Sequence, residues 1–398
     1  MTRATRTGAV WVGVVSAAIG VLASAAWSQP VDLAERLEPI RAKHDLPALA
    51  ALLTTTEGTV AAGAVGVRKV GDDAAVTADD LWHLGSCTKS MAGTVAAILV
   101  DRGVIAWDTT VGEVFGGEFD DIRPAYLGVT LEQLMSHRGG VPTGAPPRAW
   151  AEARKQRGSD REQRDVFVRA VLAAEPSTEP GTTIEYSNQG ITVAAAMLER
   201  AWDAHAGGES STSWEALATE LLFVPLGITT AGFGVPGDAG AMDQPWGHRP
   251  GALPGGPATP IVPGPFSDNP GAITPAGRVH MSLEDWAVYV REHLRGRRGE
   301  SELLPRETWE HLHTDPTAED GAVGRYGMGW AVHDRPWGGR VIAHSGSNTM
   351  WFCVVWASPE KGFAVLVATN IGGDGAAQAT DEVAGSLIGA FVGGEFGD

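Results

Sequence analysis

The most informative stretch of this sequence is Leu84-Gly85-Ser86-Cys87-Thr88-Lys89-Ser90-Met91. Residues three apart on a helix share a face, so Lys89 would lie within reach of the Ser86 hydroxyl. Apolar residues recur at helical spacing after Lys89, and Gly103 is a typical helix stop. The pattern predicts a buried helix over about residues 86 to 102 that begins at the serine.

This placement would suit a nucleophile. A serine hydroxyl attacks poorly until a nearby group removes its proton, and a lysine one helical turn away can be that group. The N-terminal end of a helix also favours the negative charge that develops on an attacked carbonyl. Taken alone, the pair is more typical of a helix-capping serine followed by a solvated lysine than of a catalytic pair.

Two further segments favour the catalytic interpretation. Tyr186-Ser187-Asn188 follows a Pro-Gly turn and precedes an apolar helical pattern. His344-Ser345-Gly346-Ser347 ends an apolar run and precedes a strand-like stretch over 351–356. A packed tyrosine and a glycine turn would be the purely structural explanations of these segments.

Taken in order, Ser-x-x-Lys, Tyr-Ser-Asn and His-Ser-Gly resemble the three signatures of the serine β-lactamase and penicillin-binding-protein superfamily. The Tyr-x-Asn form is similar to the branch of class C β-lactamases, DD-peptidases and esterases. The segments 108–111, 134–142 and 274–282 also resemble this branch. The resemblance covers the chain from about residue 33 to its C-terminus.

The resemblance implies an acyl-enzyme mechanism without a metal or other cofactor. Ser86 would be the nucleophile, and Lys89 and Tyr186 would share the role of base, in an order that the sequence leaves open. The backbone N–H groups of Ser86 and Ser347 would form the oxyanion hole. The implied substrate-binding residues are Asn188, His344, Ser345, Gly346 and Ser347.

One departure from the pattern bears on the substrate. Many β-lactamases carry lysine where this chain has His344, and a neutral histidine offers no permanent charge to a substrate carboxylate at neutral pH. We therefore expect a DD-peptidase or esterase activity rather than efficient β-lactam hydrolysis. A penicillin-binding or sensory module of the same fold that does not turn over is the alternative. The expected partner is a small-molecule or cell-wall peptide substrate.

The N-terminus resembles an export signal. Arg3 and Arg6 precede an apolar stretch over 9–27, and Ala23-Ser24-Ala25 is a suitable cleavage site. We predict a signal peptide over 1–28, a hydrolase domain over 29–398 and a periplasmic or secreted location. An uncleaved membrane anchor is the alternative, because the apolar stretch is close to the length that spans a bilayer.

The composition of the chain argues against some classes of binding partner. The chain has 398 residues, 43% of them hydrophobic, and a net charge of −18, which argues against nucleic acid and anionic membranes as partners. We expect a monomer. The two cysteines, Cys87 and Cys353, are predicted to be free and buried, with a disulfide as the alternative. The pair His311 and His313 lacks the spacing of a zinc site.

The predicted fold class is α+β. Strand patterns at both ends of the chain flank a mostly helical middle, and the resemblance implies one antiparallel sheet with an inserted helical lobe. The charged segment 145–172, which includes Arg164, is predicted to be a solvated helical excursion. The glycine- and proline-rich segment 234–277 is expected to be ordered against the mouth of the active site.

Overall fold

The computed structural model describes residues 29–208, 211–251, 256–317 and 325–396. The predicted signal segment 1–28 lies outside the described residues. The helices are α1 (Ala34–Lys43), α2 (Thr88–Asp101), α3 (Val111–Phe115), α4 (Leu131–Met135), α5 (Pro147–Ala153), α6 (Asp160–Leu172), α7 (Asn188–His205), α8 (Trp214–Ala218), α9 (Thr274–Gly277), α10 (Leu283–Arg298), α11 (Arg306–Leu312) and α12 (Asp374–Val392).

The strands are β1 (Val31–Asp32), β2 (Ala48–Thr55), β3 (Thr59–Gly66), β4 (Leu81–His83), β5 (Gly232–Phe233), β6 (His248–Arg249), β7 (Thr259–Pro260), β8 (Val279–Ser282), β9 (Arg325–Tyr326), β10 (Ala331–Arg335), β11 (Gly339–Ser347), β12 (Phe352–Ser358) and β13 (Phe363–Thr369). The main sheet has the order β1-β3-β2-β13-β12-β11-β10-β9. Its pairs are antiparallel except that of β1 with β3.

The central pair of this sheet joins the two halves of the chain. Strand β2 pairs with β13, so that Leu52 lies opposite Leu366. Successive side chains of a strand point to opposite faces. The β2 residues Leu49, Ala51 and Leu53 accordingly pack with α1 and α12, and Ala48, Ala50 and Leu52 pack with α2 and α10. Helices cover both faces of this pair, which confirms the predicted α+β architecture of a sheet built from both chain ends.

The helical lobe lies between β4 and β8 in the chain and is built around α2. A short 3₁₀ turn, Gly85–Cys87, leads into this helix, and residues 88–99 are all buried. A helix that is apolar all round belongs in a core. The helix predicted over about 86 to 102 is confirmed.

The prediction of a solvated excursion over 145–172 was wrong for Arg164 and for the apolar face of α6, where Phe167, Val168, Val171 and Leu172 are buried. The segment forms α5 and α6, but Arg164 has no exposed surface. Its guanidinium lies 3.0 Å from Glu199 and 2.8 Å from Glu215. The sequence placed Arg164 among other charges, whereas the fold turns this face of α6 towards two carboxylates on α7 and α8. Burial alone would lower the pKa of the Arg164 guanidinium. The two carboxylates that pair with it in the core outweigh this effect and raise the pKa.

No helix in the described ranges is long and apolar enough to span a bilayer. Across the same ranges, no three or more His, Cys, Asp and Glu side chains cluster in a way that could hold a metal ion.

Candidate active site

Ser86 lies in the turn before α2, directly against the end of β11. Gly85 has φ +48°, and a Cβ atom added to it would lie 2.3 Å from the backbone nitrogen of Ser347. A Cβ atom on Gly346 would lie 1.9 Å from the Leu84 carbonyl oxygen and 2.9 Å from the Ser86 nitrogen. Only glycine fits at both positions. The first and third sequence motifs are therefore in backbone contact.

Lys89 projects from the first turn of α2 towards the serine. Its Nζ lies 2.9 Å from Ser86 Oγ and 2.6 Å from the carbonyl oxygen of Ala276 in α9. The side chain has no exposed surface, and this burial lowers the pKa of Lys89 to about 7. The interpretation of Lys89 as a solvated lysine is therefore wrong. A lysine that is partly neutral at physiological pH can accept a proton.

Tyr186 covers the same amine. Lys89 Nζ lies 4.8 Å from the centre of the Tyr186 ring. Burial raises the pKa of the Tyr186 hydroxyl, and its hydrogen bond with Ser86 opposes that rise. The residue as a whole keeps 38% of its surface exposed, so solvent limits the rise. The structure thus brings Ser86, Lys89 and Tyr186 together, as the sequence predicted.

The third motif occupies the last residues of β11. His344 Nδ1 lies 2.6 Å from the carbonyl oxygen of Ser345, and His344 Nε2 lies 2.8 Å from the hydroxyl of Tyr326. A ring nitrogen facing a carbonyl oxygen must donate, so in neutral His344 Nε2 accepts from the tyrosine. The imidazole is buried, while Ser345 is exposed. Ser347 Oγ donates to the Trp351 carbonyl, 2.7 Å away, within the turn after β11.

Asn188, the remaining predicted residue, is the first residue of α7. Ser187 caps this helix, because its Oγ accepts the N–H of Gly190 at 3.1 Å. The cap fixes the point at which the chain leaves Tyr186 and enters the helix. Asn188 is half-buried there, two residues beyond the tyrosine.

Sequence reasoning missed two aromatic neighbours of the site. The ring of His137 lies 4.5 Å from that of Tyr186 and 4.5 Å from that of Tyr326. His137 has φ +60°, its Nδ1 accepts the N–H of Ser187 at 3.2 Å, and burial lowers its pKa well below the usual range. His137 falls within the segment 134–142 that supported the resemblance. Tyr326 carried no signal, because only the register of β9 with β10 brings it to His344.

The two cysteines lie behind the nucleophile. Both are free and buried, and their Sγ atoms are 3.6 Å apart. Cys353 Sγ also contacts the Leu84 carbonyl at 3.2 Å. The prediction of free, buried thiols is confirmed.

The chain is similar in sequence to known proteins. Penicillin-binding protein 4 of Amycolatopsis lactamdurans is 28% identical over 382 residues, which cover 89% of each chain. Unguisins hydrolase ungD' of Aspergillus campestris is 26% identical over 313 residues, or 74% of this chain, which spans about half (53%) of that relative.

Solved structures share the fold. The octameric penicillin-binding protein homologue from Pyrococcus abyssi superposes with a TM-score of 0.70 at 22% identity, over 89% of this chain and 76% of that one. A D-stereospecific amidohydrolase from Streptomyces sp. gives a TM-score of 0.66 at 20% identity, over 88% and 96%. The Beta-lactamase family model matches residues 33–388. Since that match covers most of the chain, this protein belongs to the Beta-lactamase family of serine hydrolases.

Proposed function

We propose that this Beta-lactamase-family protein hydrolyses esters or D-amino-acid peptides through an acyl-enzyme on Ser86. Ser86 Oγ attacks the carbonyl carbon and its proton passes to the base, so that the leaving alcohol or amine departs with a proton. Water then attacks the acyl-enzyme with help from the same base and releases the acid.

The observation that carries this proposal is the 2.9 Å contact between Lys89 Nζ and Ser86 Oγ. A general base must lie within hydrogen-bond reach of the proton that it removes, and its pKa should be close to the working pH. Lys89 meets both conditions. Tyr186, whose pKa burial raises, keeps its own proton at neutral pH. We therefore assign the first proton transfer to Lys89 and the protonation of the leaving group to Tyr186. The Lys89 ammonium then returns a proton to the Tyr186 phenolate, so that a neutral amine is again available as the base for deacylation.

The oxyanion hole is proposed to consist of the backbone N–H groups of Ser86 and Ser347. Support comes from the close approach of the two backbones at Gly85 and Gly346. Such donors stabilise the charge on the tetrahedral intermediate more than that of the substrate carbonyl. Asn188 and the exposed Ser345 are proposed to bind the substrate on either side of the scissile bond.

The substrate preference follows from His344. Both of its ring nitrogens are engaged, by the Ser345 carbonyl and by Tyr326, so the side chain has no free donor for a substrate carboxylate. This favours an esterase or DD-peptidase over an efficient β-lactamase. The names of the relatives, which include a penicillin-binding protein, an unguisins hydrolase and a D-stereospecific amidohydrolase, support amide-bond hydrolysis in general.

Export is part of the proposal. A positively charged start with Arg3 and Arg6, followed by an apolar stretch, supports removal of a signal peptide over 1–28 and a periplasmic or secreted location. The N-terminal residue of protein collected outside the cytoplasm would test this directly.

Intact-mass spectrometry tests the catalytic proposal. The protein and its Ser86→Ala variant would be mixed with benzylpenicillin, with p-nitrophenyl acetate and with a peptide ending in D-Ala-D-Ala. We expect a covalent adduct in the unsubstituted protein alone, and turnover of the ester or the peptide. An adduct that persists with every substrate would indicate the non-turnover module. Turnover by Ser86→Ala at the full rate would overturn the assignment of the nucleophile.

A further inference from the structure

A buried histidine holds the backbone just before the nucleophile. His83, the last residue of β4, accepts the N–H of Gly85 on its Nδ1 at 3.1 Å. The other ring nitrogen, Nε2, then carries the hydrogen and donates it to the carboxylate of Asp268, about 3 Å away. The side chains of His83 and Asp268 are 0% and 1% exposed.

The same carboxylate holds the backbone just after Ser347. Asn348 Nδ2 donates to Asp268 Oδ1 at 2.9 Å, and Asn348 Oδ1 accepts the N–H of Met350 at 3.1 Å. The next residue, Thr349, has φ +76°, a conformation that is strained for a β-branched side chain. Such strain persists only where the surroundings fix it. The bond from Asn348 to Asp268 is one of the contacts that do so.

Asp268 is charged in this position. Burial alone would raise its pKa, but the contacts with His83, Arg278 and Asn348 hold the pKa below the usual range. Arg278 Nε lies 3.4 Å from Asp268 Oδ2, and its Nη1 lies 3.1 Å from Asp160. A charged acceptor makes stronger hydrogen bonds than a neutral one. The hydrogen bonds that His83 and Asn348 donate to Asp268 are therefore strong and fix the positions of both side chains.

We propose that Asp268 is a positioning residue that sets the separation of the two oxyanion-hole donors, through His83 on the side of Ser86 and through Asn348 on the side of Ser347. This inference rests on the proposed function, because it assigns the oxyanion hole to those two N–H groups. The proposal also gives the segment 234–277 a role in the reaction. Asp268, near the end of that segment, bonds both to His83 before the nucleophile turn and to Asn348 after β11.

The test variant is Asp268→Asn, which keeps the shape but not the charge. An amide has one acceptor oxygen, and its NH₂ group would face a donor from His83 or Asn348. We expect kcat for p-nitrophenyl acetate to fall about 10- to 100-fold. This decrease is no larger than the roughly 100-fold decrease at the lower end of the range for complete removal of one oxyanion-hole donor. KM should stay within about twofold, because the ground-state carbonyl depends little on the hole.

A second readout reports on the hole itself. Phenylboronic acid adds reversibly to a catalytic serine and places a tetrahedral oxygen where the oxyanion forms. Its inhibition constant should rise in Asp268→Asn by the same factor as kcat falls. If Asp268 had a structural role alone, Asp268→Asn would lower the thermal midpoint, but the inhibition constant and kcat would not change by the same factor.

His83→Gln, which can still accept from Gly85 and donate to Asp268, should retain more activity than His83→Phe.

Asp160→Asn is the matched control, since it removes the charge of the outer partner of Arg278 and leaves His83 and Asn348 untouched. The inference is overturned if Asp268→Asn and Asp160→Asn have equal kcat, or if boronate affinity is unchanged while kcat falls. Failure of the proposed function looks different: the unsubstituted protein would neither hydrolyse the ester nor bind the boronate, or Ser86→Ala would remain fully active.

Discussion

Lys89 reaches Ser86 from the inside of the protein, with its amine 2.9 Å from the serine oxygen and its entire side chain buried. Burial disfavours the charged form and lowers the pKa of Lys89 to about 7. Acylation of p-nitrophenyl acetate should therefore speed up as the pH rises through about 7 and level off above it. Pre-steady-state rates between pH 5.5 and 8.5 would show this, and a flat profile would contradict the assignment of the base.

Lys89→Met should reduce kcat by about 10²- to 10⁴-fold, the usual contribution of a general base. It should also stabilise the fold at low pH. The folded-state pKa is lowered, so the unfolded chain binds more protons between pH 7 and the ordinary lysine range, and stability rises with pH across that window. Thermal midpoints should thus show a larger gain for Lys89→Met at pH 6 than at pH 9.

His344→Lys should change substrate preference. A permanent charge at this position would favour substrates with a carboxylate, so kcat/KM for benzylpenicillin relative to p-nitrophenyl acetate should rise about 10-fold, the effect of one charge-assisted hydrogen bond. Tyr326→Phe is the control, because it removes the same hydrogen-bond partner without adding charge. An equal ratio in the lysine variant and the unsubstituted protein would argue against His344 as the determinant.

The thiols of Cys87 and Cys353 should be inert in the folded protein. Burial raises the pKa of the Cys353 thiol, whereas hydrogen bonds with Cys353 and His344 lower the pKa of Cys87 to about 6 against the effect of burial. Both sulfur atoms are nevertheless buried, so a reagent in solution reaches neither of them. Iodoacetamide should label neither cysteine natively and both after unfolding without a reductant. Absence of labelling after unfolding would mean that the two form a disulfide.

Arg164→Met should destabilise the helical lobe by about 3–5 kcal/mol, because Glu199 would be left buried without its partner. Arg169→Met is the surface control: Arg169 is 47% exposed and pairs with Asp120 and Asp121, and such pairs contribute about 0–1 kcal/mol. Urea unfolding of both variants would measure the difference. Similar midpoints would show that the buried triad is neutral to stability.

A buried histidine pair should make stability fall in acid. His293 Nδ1 and His313 Nε2 are 2.8 Å apart, and burial lowers the pKa of both, that of His313 to about 3. Below about pH 6.5 the unfolded chain takes up protons that the folded chain does not, which costs about 1.4 kcal/mol per pH unit for each histidine.

The double variant His293→Gln/His313→Gln should therefore have a flatter dependence of unfolding free energy on pH between 6.5 and 4. The exposed His205 provides the control, since His205→Gln should leave the slope unchanged. A double variant with the original slope would exclude the pair as the source.

The sequence was most informative where local spacing carries the chemistry. The apolar spacing after Lys89 predicts the helix that begins at the nucleophile turn, and this helix is confirmed. Long-range pairing was accessible only through the resemblance, because no local pattern specifies that β2 lies beside β13.

The remaining parts of the site depend on tertiary contacts. Arg164 looked solvated because its partners, Glu199 and Glu215, lie on other helices. Tyr326 and Asp268 reach the site only through strand register and loop placement, and single residues in loops or short strands have no periodicity to reveal them.

The pairing of β2 with β13 also has a consequence for biosynthesis. The nucleophile turn and β11 are far apart in the chain, with Cys87 and His344 separated by 257 positions, and β11 is held beside that turn by β12, which pairs with β13. A ribosome that has made residues 1–340 has produced the serine, the lysine and the tyrosine, but not Ser347, which is one of the two proposed oxyanion-hole donors. The proposed oxyanion hole therefore cannot form until β11 and the two strands that hold it have been synthesised and have paired in the sheet.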